Sequence, residues 1–218
     1  DIVLENFSRI TRNANFPKLW YDEFSDIKFF NLFLSLCEHC QKAIDLFAED
    51  KFLRDTFLSR ECLVTLSNKS FSNLSLKDFY FRSSVQLAAG IVKPKVFAEL
   101  YTEFLNQKIM SLTREFVSDK EWQNNFFIAA MGSFGSSELS FASDIDLVFV
   151  VSDIQNYPDI QKDFQRLLKN FKDNCSGLEI DCRLRPEGKS SQLVWDLEEY
   201  KKYFSNRARI WELQAFTK

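Results

Sequence analysis

Between residues 27 and 49 the segment IKFFNLFLSLCEHCQKAIDLFAE sets its apolar side chains three and four apart. Phe29, Leu32, Phe33, Leu36, Cys37 and Cys40 fall on one stripe, which predicts a single amphipathic helix over 27–49. FLRDTFLSR predicts a second, shorter helix at 52–60. The polar break SNKSFSNLS at 67–75 ends on Ser75, a suitable N-cap for a helix from Leu76 to about Gly90. Pro94 suits a first helical turn. From there Val96, Leu100, Tyr101, Leu105, Ile109 and Leu112 carry an apolar face to about Val117.

Beyond residue 120 the pattern changes. Phe126 to Met131 is a short continuous apolar run, expected to be a buried strand, and Ile145 to Val151 is another. Tyr157-Pro158 opens a helix to about Asn174, with Ile160, Phe164, Leu167, Leu168 and Phe171 on one face. Leu178 to Leu184 predicts a third strand, followed by a polar loop with Pro186 and Gly188. Helices are expected over 197–204 and from Arg207 to the end. The fold class is therefore α+β: a helical region over 1–120, then a domain at 121–218 built on a small mixed sheet.

Four of the five glycines lie in the second half, two of them in GSFGSSELSFASDIDLVFVV at 132–151. Strand alternation puts Asp144 and Asp146 on one face. Two carboxylates that close repel unless a cation sits between them, and an oxygen-only donor set favours Mg²⁺ or Mn²⁺. Gly132 lets the backbone turn sharply and approach a ligand, and Ser133 offers a hydroxyl and an N–H. If SSEL starts a short helix, its free N–H groups face bound phosphate. In LEIDCRL, Glu179, Asp181 and Arg183 share the face opposite Leu178, Ile180, Cys182 and Leu184. Asp181 can thus complete a three-carboxylate site if its strand neighbours the one carrying Asp146. Arg183, and Arg185 if the strand continues, would point into the cleft toward phosphate, or else pair with Glu179 or Glu187.

This order of strand, Gly-Ser, Asp-x-Asp and a later Asp resembles the nucleotidyltransferase superfamily that includes DNA polymerase beta. More narrowly, GSFGSSELSFASDIDLVFV, DCRLRPEGKSSQLV and WELQAFTK resemble the glutamine synthetase adenylyltransferase family, most strongly over 128–218. Glu138-Leu139 and Ser143 stand at that family's EL and SD positions, and Arg183 to Pro186 at its RLRP. Where the family has Lys-Leu-Gly-Gly after the first glycine, this chain has Ser133-Phe134-Gly135-Ser136.

The resemblance implies a polymerase-beta-like domain and metal ligation by Asp144, Asp146 and Asp181. It also implies ATP or ADP held near Gly132, Ser133, Ser143, Arg183 and Arg185. The reaction would add AMP to a tyrosine of glutamine synthetase, or remove it, with the PII signal protein as a possible further partner. The RPEG wording leans toward the removing half. A catalytically silent nucleotide-binding module and a relative of the PII uridylyltransferases are the alternatives.

Composition narrows the field further. Net charge is −3, with no basic stripe, so nucleic acid is not an expected partner. No run reaches the ~18 apolar residues of a membrane span. The opening DIVLENFSRITRN is too polar for a signal peptide, and a start at Asp1 points to a piece of a longer chain. Five scattered cysteines suit a reducing cytoplasm rather than a disulfide framework. The Cys37-Glu38-His39-Cys40 motif lacks a second ligand pair for zinc and reads as two cysteines on a helix.

Overall fold

A computed structural model describes residues 2–12, 16–67, 71, 73–175 and 177–215. Residues 68–70 and 72 of the polar break, and the last three of the expected terminal helix, lie outside them. The chain forms two compact units, Asp1–Leu100 and Tyr101–Lys218.

The first unit is helical: α1 (Ile2–Arg12), α2 (Pro17–Glu23), α3 (Ile27–His39), α4 (Gln41–Glu49), α5 (Lys51–Leu58) and α6 (Leu76–Ala88). Its core is aromatic. Phe33, Phe47, Phe57 and Phe81 are fully buried beside Trp20, Ile10 and Leu53. Phe47 and Phe57 meet edge to face at 5.1 Å, and Phe47 stacks on Phe81 at 5.2 Å, both favourable ring geometries.

The single helix expected over 27–49 is two, broken at Cys40. The break leaves the Cys37 carbonyl without a helical donor, and the Asn6 side-chain amide supplies one at 2.9 Å. Cys37 is a core residue whose thiol burial pushes up to about 12, while His39 is exposed. Asp26 and Asp50 cap α3 and α5.

Ser75 caps α6 as expected. Its hydroxyl accepts from Asp78 N at 3.1 Å, and Asp78 answers to Ser75 N at 3.3 Å. Ser75→Ala is expected to cost about 1 kcal/mol of stability. Urea unfolding measures it, and an unchanged midpoint would assign the helix start to packing alone.

Helix α7 (Pro94–Val117) carries the chain across the division at Leu100. The second unit then builds a sheet from β1 (Phe126–Met131), β2 (Ile145–Val151), β3 (Ile180–Asp181) and β4 (Val194–Asp196), with α8 (Gly132–Gly135), α9 (Ile160–Asn174), α10 (Leu197–Asn206) and α11 (Ile210–Gln214). Strand β2 is central and, apart from Asp146, buried throughout. On one side it pairs antiparallel with β1; on the other it pairs parallel with β3 at its start and β4 at its end. One face of the sheet packs Phe149 and Phe126 on Phe164 of α9. The other buries Met131, Val148 and Val150 against Leu184, Leu197 and Tyr200.

Two expectations need correction. Strand β1 is not buried: it has one neighbour, and Phe127 is 45% exposed. Strand β3 is two residues long rather than 178–184, because the Asp181 carboxylate accepts the Arg183 N–H at 2.8 Å and turns the chain out of the sheet. The place a longer β3 would take is filled by β4, held by Gln161, whose amide donates to Val194 O and accepts from Leu193 N and Val194 N.

Candidate functional site

The site forms where β1 ends and β2 begins. Met131 is the register partner of Asp146, so the chain leaves β1 directly beside that carboxylate. Gly132 follows with φ +55, and a Cβ built there would lie 2.6 Å from Asp146 Oδ2. The absence of a side chain is thus a spatial requirement as well as a conformational one. The helical turn is Gly132–Gly135 itself, not SSEL. Ser136 N donates back to Gly132 O at 3.0 Å, and Ser137, with φ 59, ends the turn. Phe134 anchors this turn by burying its ring.

Ser133 is half-buried, and its carbonyl accepts from Glu138 N at 2.9 Å. Ser143 braces the approach to the carboxylates: its hydroxyl accepts from Ser140 N at 2.9 Å. Asp144 comes next, one residue before β2.

Asp181 lies opposite Asp146 in the parallel register of β2 and β3. The Asp146 carboxyl is held above the ordinary carboxylate value, first by burial and then by the charges of Asp181 and Asp144, with Arg183 partly offsetting them. The arginine expected to point into the cleft is engaged: Arg183 Nε donates to Asp181 Oδ2. Its partner is therefore Asp181, not Glu179 or Glu187, and Glu187 pairs instead with Arg207 at 2.9 Å. The Asp-x-Arg spacing at a strand end was the available signal for this turn.

Arg185 lies beyond the end of β3 and is engaged within its own loop. Its guanidinium donates to Cys182 O and, at 3.3 and 3.2 Å, to Lys189 O and Ser191 O, stapling the loop it belongs to. Arg185→Ala is expected to cost about 1.5–3 kcal/mol, the range for hydrogen bonds from a charged group. Arg185→Lys should recover only part, since lysine lacks the fork. Thermal unfolding of both variants checks this, and an unaltered melting temperature in Arg185→Ala would remove the staple role.

Among the described residues no three His, Cys, Asp or Glu side chains are arranged to hold a metal ion as they stand. The donors themselves, three carboxylates in one strand-end cluster, are of the kind hard divalent cations take. A cavity of about 370 Å³ lies on the other face of the sheet, lined by Ile109, Met110, Phe126, Ile128, Phe134 and Leu147. It contains no carboxylate and is separate from this cluster.

The family model of glutamate-ammonia ligase adenylyltransferase matches residues 60–218. The chain belongs to this family.

All eight expected site residues fall within the stretch that matches the adenylyltransferase family model. Individual relatives share shorter segments. A bifunctional glutamine synthetase adenylyltransferase/adenylyl-removing enzyme of Chromobacterium violaceum is 34% identical over 100 residues, 43% of this chain and 11% of the relative. Enzymes of the same description match at 36% over 104 residues in Burkholderia mallei, covering 43% of this chain and 11% of the relative. In Cutibacterium acnes the figures are 38% over 91 residues, 40% of this chain and 9% of the relative. The chain spans about a tenth of the length of these adenylyltransferases.

Proposed function

We propose that residues 121–218 form a nucleotidyltransferase domain that moves an adenylyl group between a nucleotide and a tyrosine of glutamine synthetase. The observation that carries this is the meeting of Gly132, Asp146 and Asp181 at one end of β2, in a chain of the adenylyltransferase family. Asp144, Asp146 and Asp181 are the residues that would hold Mg²⁺ or Mn²⁺. Bound there, the cation would neutralise the carboxylates and the developing charge on the phosphates of ATP or ADP.

The rest of the chemistry belongs to the chain. Gly132 lets phosphate approach the backbone, with the Ser133 N–H and hydroxyl as donors. Ser143 fixes the strand entry. Arg183 is bonded to one of the carboxylates, Asp181, and Arg185 acts by holding its loop. Of the two directions we favour adenylyl removal by phosphorolysis, on the RPEG wording of 185–188. The reaction would tune glutamine synthetase and so nitrogen assimilation, with the PII protein as a regulator acting on other parts of the system. Five free cysteines suit the cytoplasm, and no helix among the described residues is long and apolar enough to cross a membrane.

Two parallel reactions test this. Glutamine synthetase is incubated with the chain, Mg²⁺ and labelled ATP, and adenylylated synthetase with the chain, Mg²⁺ and phosphate. Release of ADP in the second is the expected result. Label transfer in the first alone would reverse the direction, and inactivity of both would overturn the assignment.

A further inference from the structure

We propose that the Arg183 guanidinium is a stand-in cation, seated on Asp181 until a divalent ion displaces it and then released toward the nucleotide's phosphates. This rests on the metal-dependent reading of the same site.

The two Asp181 oxygens are held in different ways. Oδ1 accepts the Arg183 backbone N–H at 2.8 Å, and Oδ2 accepts the Arg183 side chain. The backbone contact fixes the carboxylate's orientation and belongs to the turn that ends β3. The side-chain contact can be broken without disturbing that turn. Its two partners differ in freedom as well: the Asp181 side chain is 10% exposed and that of Arg183 51%. The half-solvated guanidinium on its flexible stem is the member that can leave. Departure would free one oriented oxygen, on the strand position directly opposite Asp146.

The charges favour an exchange of this kind. Asp144, Asp146 and Asp181 make a cluster that needs a counter-charge, and Arg183 is the cation that acts on Asp146. Glu179 and Asp144 also face the guanidinium, so it is held near the cluster after it leaves Asp181. A divalent ion in place of the guanidinium on Asp181 adds one unit of positive charge at that carboxylate and exposes a fork suited to phosphate oxygens. Cation binding would thus prepare nucleotide binding through one side chain.

The test is the ¹⁵N-edited NMR signal of the Arg183 Nε–H in the 218-residue chain, assigned by its loss in Arg183→Lys. Without metal it should be protected from solvent exchange. Saturating Mg²⁺ should shift it and remove the protection, and ADP should restore protection at a new position. If the Asp146 and Asp181 amides respond to Mg²⁺ while the Nε–H does not, the exchange is overturned and the metal reading survives. If neither responds, both fall. Titration adds a second arm: Arg183→Gln should bind Mn²⁺ several-fold more tightly without nucleotide, yet bind ADP several-fold more weakly at saturating Mn²⁺. Unchanged Mn²⁺ affinity would overturn the proposal.

Discussion

Gly132→Ala is expected to leave the chain folded and to cut nucleotidyl transfer by about 100-fold, the scale of a 1 Å displacement at a reacting centre. Two costs arise at this position. The backbone has φ +55, where an alanine is strained by about 1–2 kcal/mol. The new methyl would also sit 2.6 Å from Asp146 Oδ2. A carboxylate end can swing more readily than a strand can shift, so the site yields before the fold does.

Gly90→Ala separates the two costs. Gly90 has φ +69 and nothing within 4 Å of its would-be Cβ, so it carries the strain without the collision. Both variants should lose similar stability in thermal unfolding, and only Gly132→Ala should lose turnover on glutamine synthetase. Equal turnover in the two would show that the close approach to Asp146 has no catalytic consequence.

Asp146→Asn should abolish metal-dependent nucleotide binding, a larger loss than the roughly 10–100-fold caused by removing a supporting partner of a metal ligand. The metal-free chain should at the same time become more stable at neutral pH. Burial and the neighbouring carboxylates raise the Asp146 pKa in the folded state, so above that value the ionised group opposes folding. As pH falls through the raised value, the folded state binds the proton first and the penalty is relieved. Asparagine never carries the charge. The stability gain of the variant should therefore be full at neutral pH and fade on acidification toward the ordinary carboxylate value. Calorimetry with and without Mg²⁺ and ADP measures both effects, and nucleotide affinity equal to that of the unsubstituted chain would exclude Asp146 as a ligand.

The carboxylate placement was legible because alternation along a buried strand leaves few choices. Ile145, Leu147 and Phe149 must face one way, which sends Asp146 the other. The same logic in LEIDCRL put Asp181 on the polar face, and parallel pairing brought it opposite Asp146.

What was not legible depended on partners distant in sequence or on elements too short to show a period. The break at Cys40 is accommodated by Asn6, far away in sequence. The apolar stripe runs across it, because α3 and α4 pack on one core. The three residues of β4 carry no alternation to read, and Gln161 of α9 is what holds them. Arg185 was directed to the cleft by continuing β3, whereas the Arg183 N–H on Asp181 had already turned the chain.

Strands β3 and β4 take separate stations along one edge of β2, Ile145–Asp146 for the first and Phe149–Val151 for the second. Each station sets its own register, so neither depends on how many residues lie between them. The connecting segment, 182–193, is held by contacts of its own, the Arg185 guanidinium on the Cys182, Lys189 and Ser191 carbonyls, so it need not carry the register from Asp181 at one end to α10 at the other. The spacing from Gly132 to Asp146 has no such freedom, since that segment must leave β1 and return antiparallel beside it.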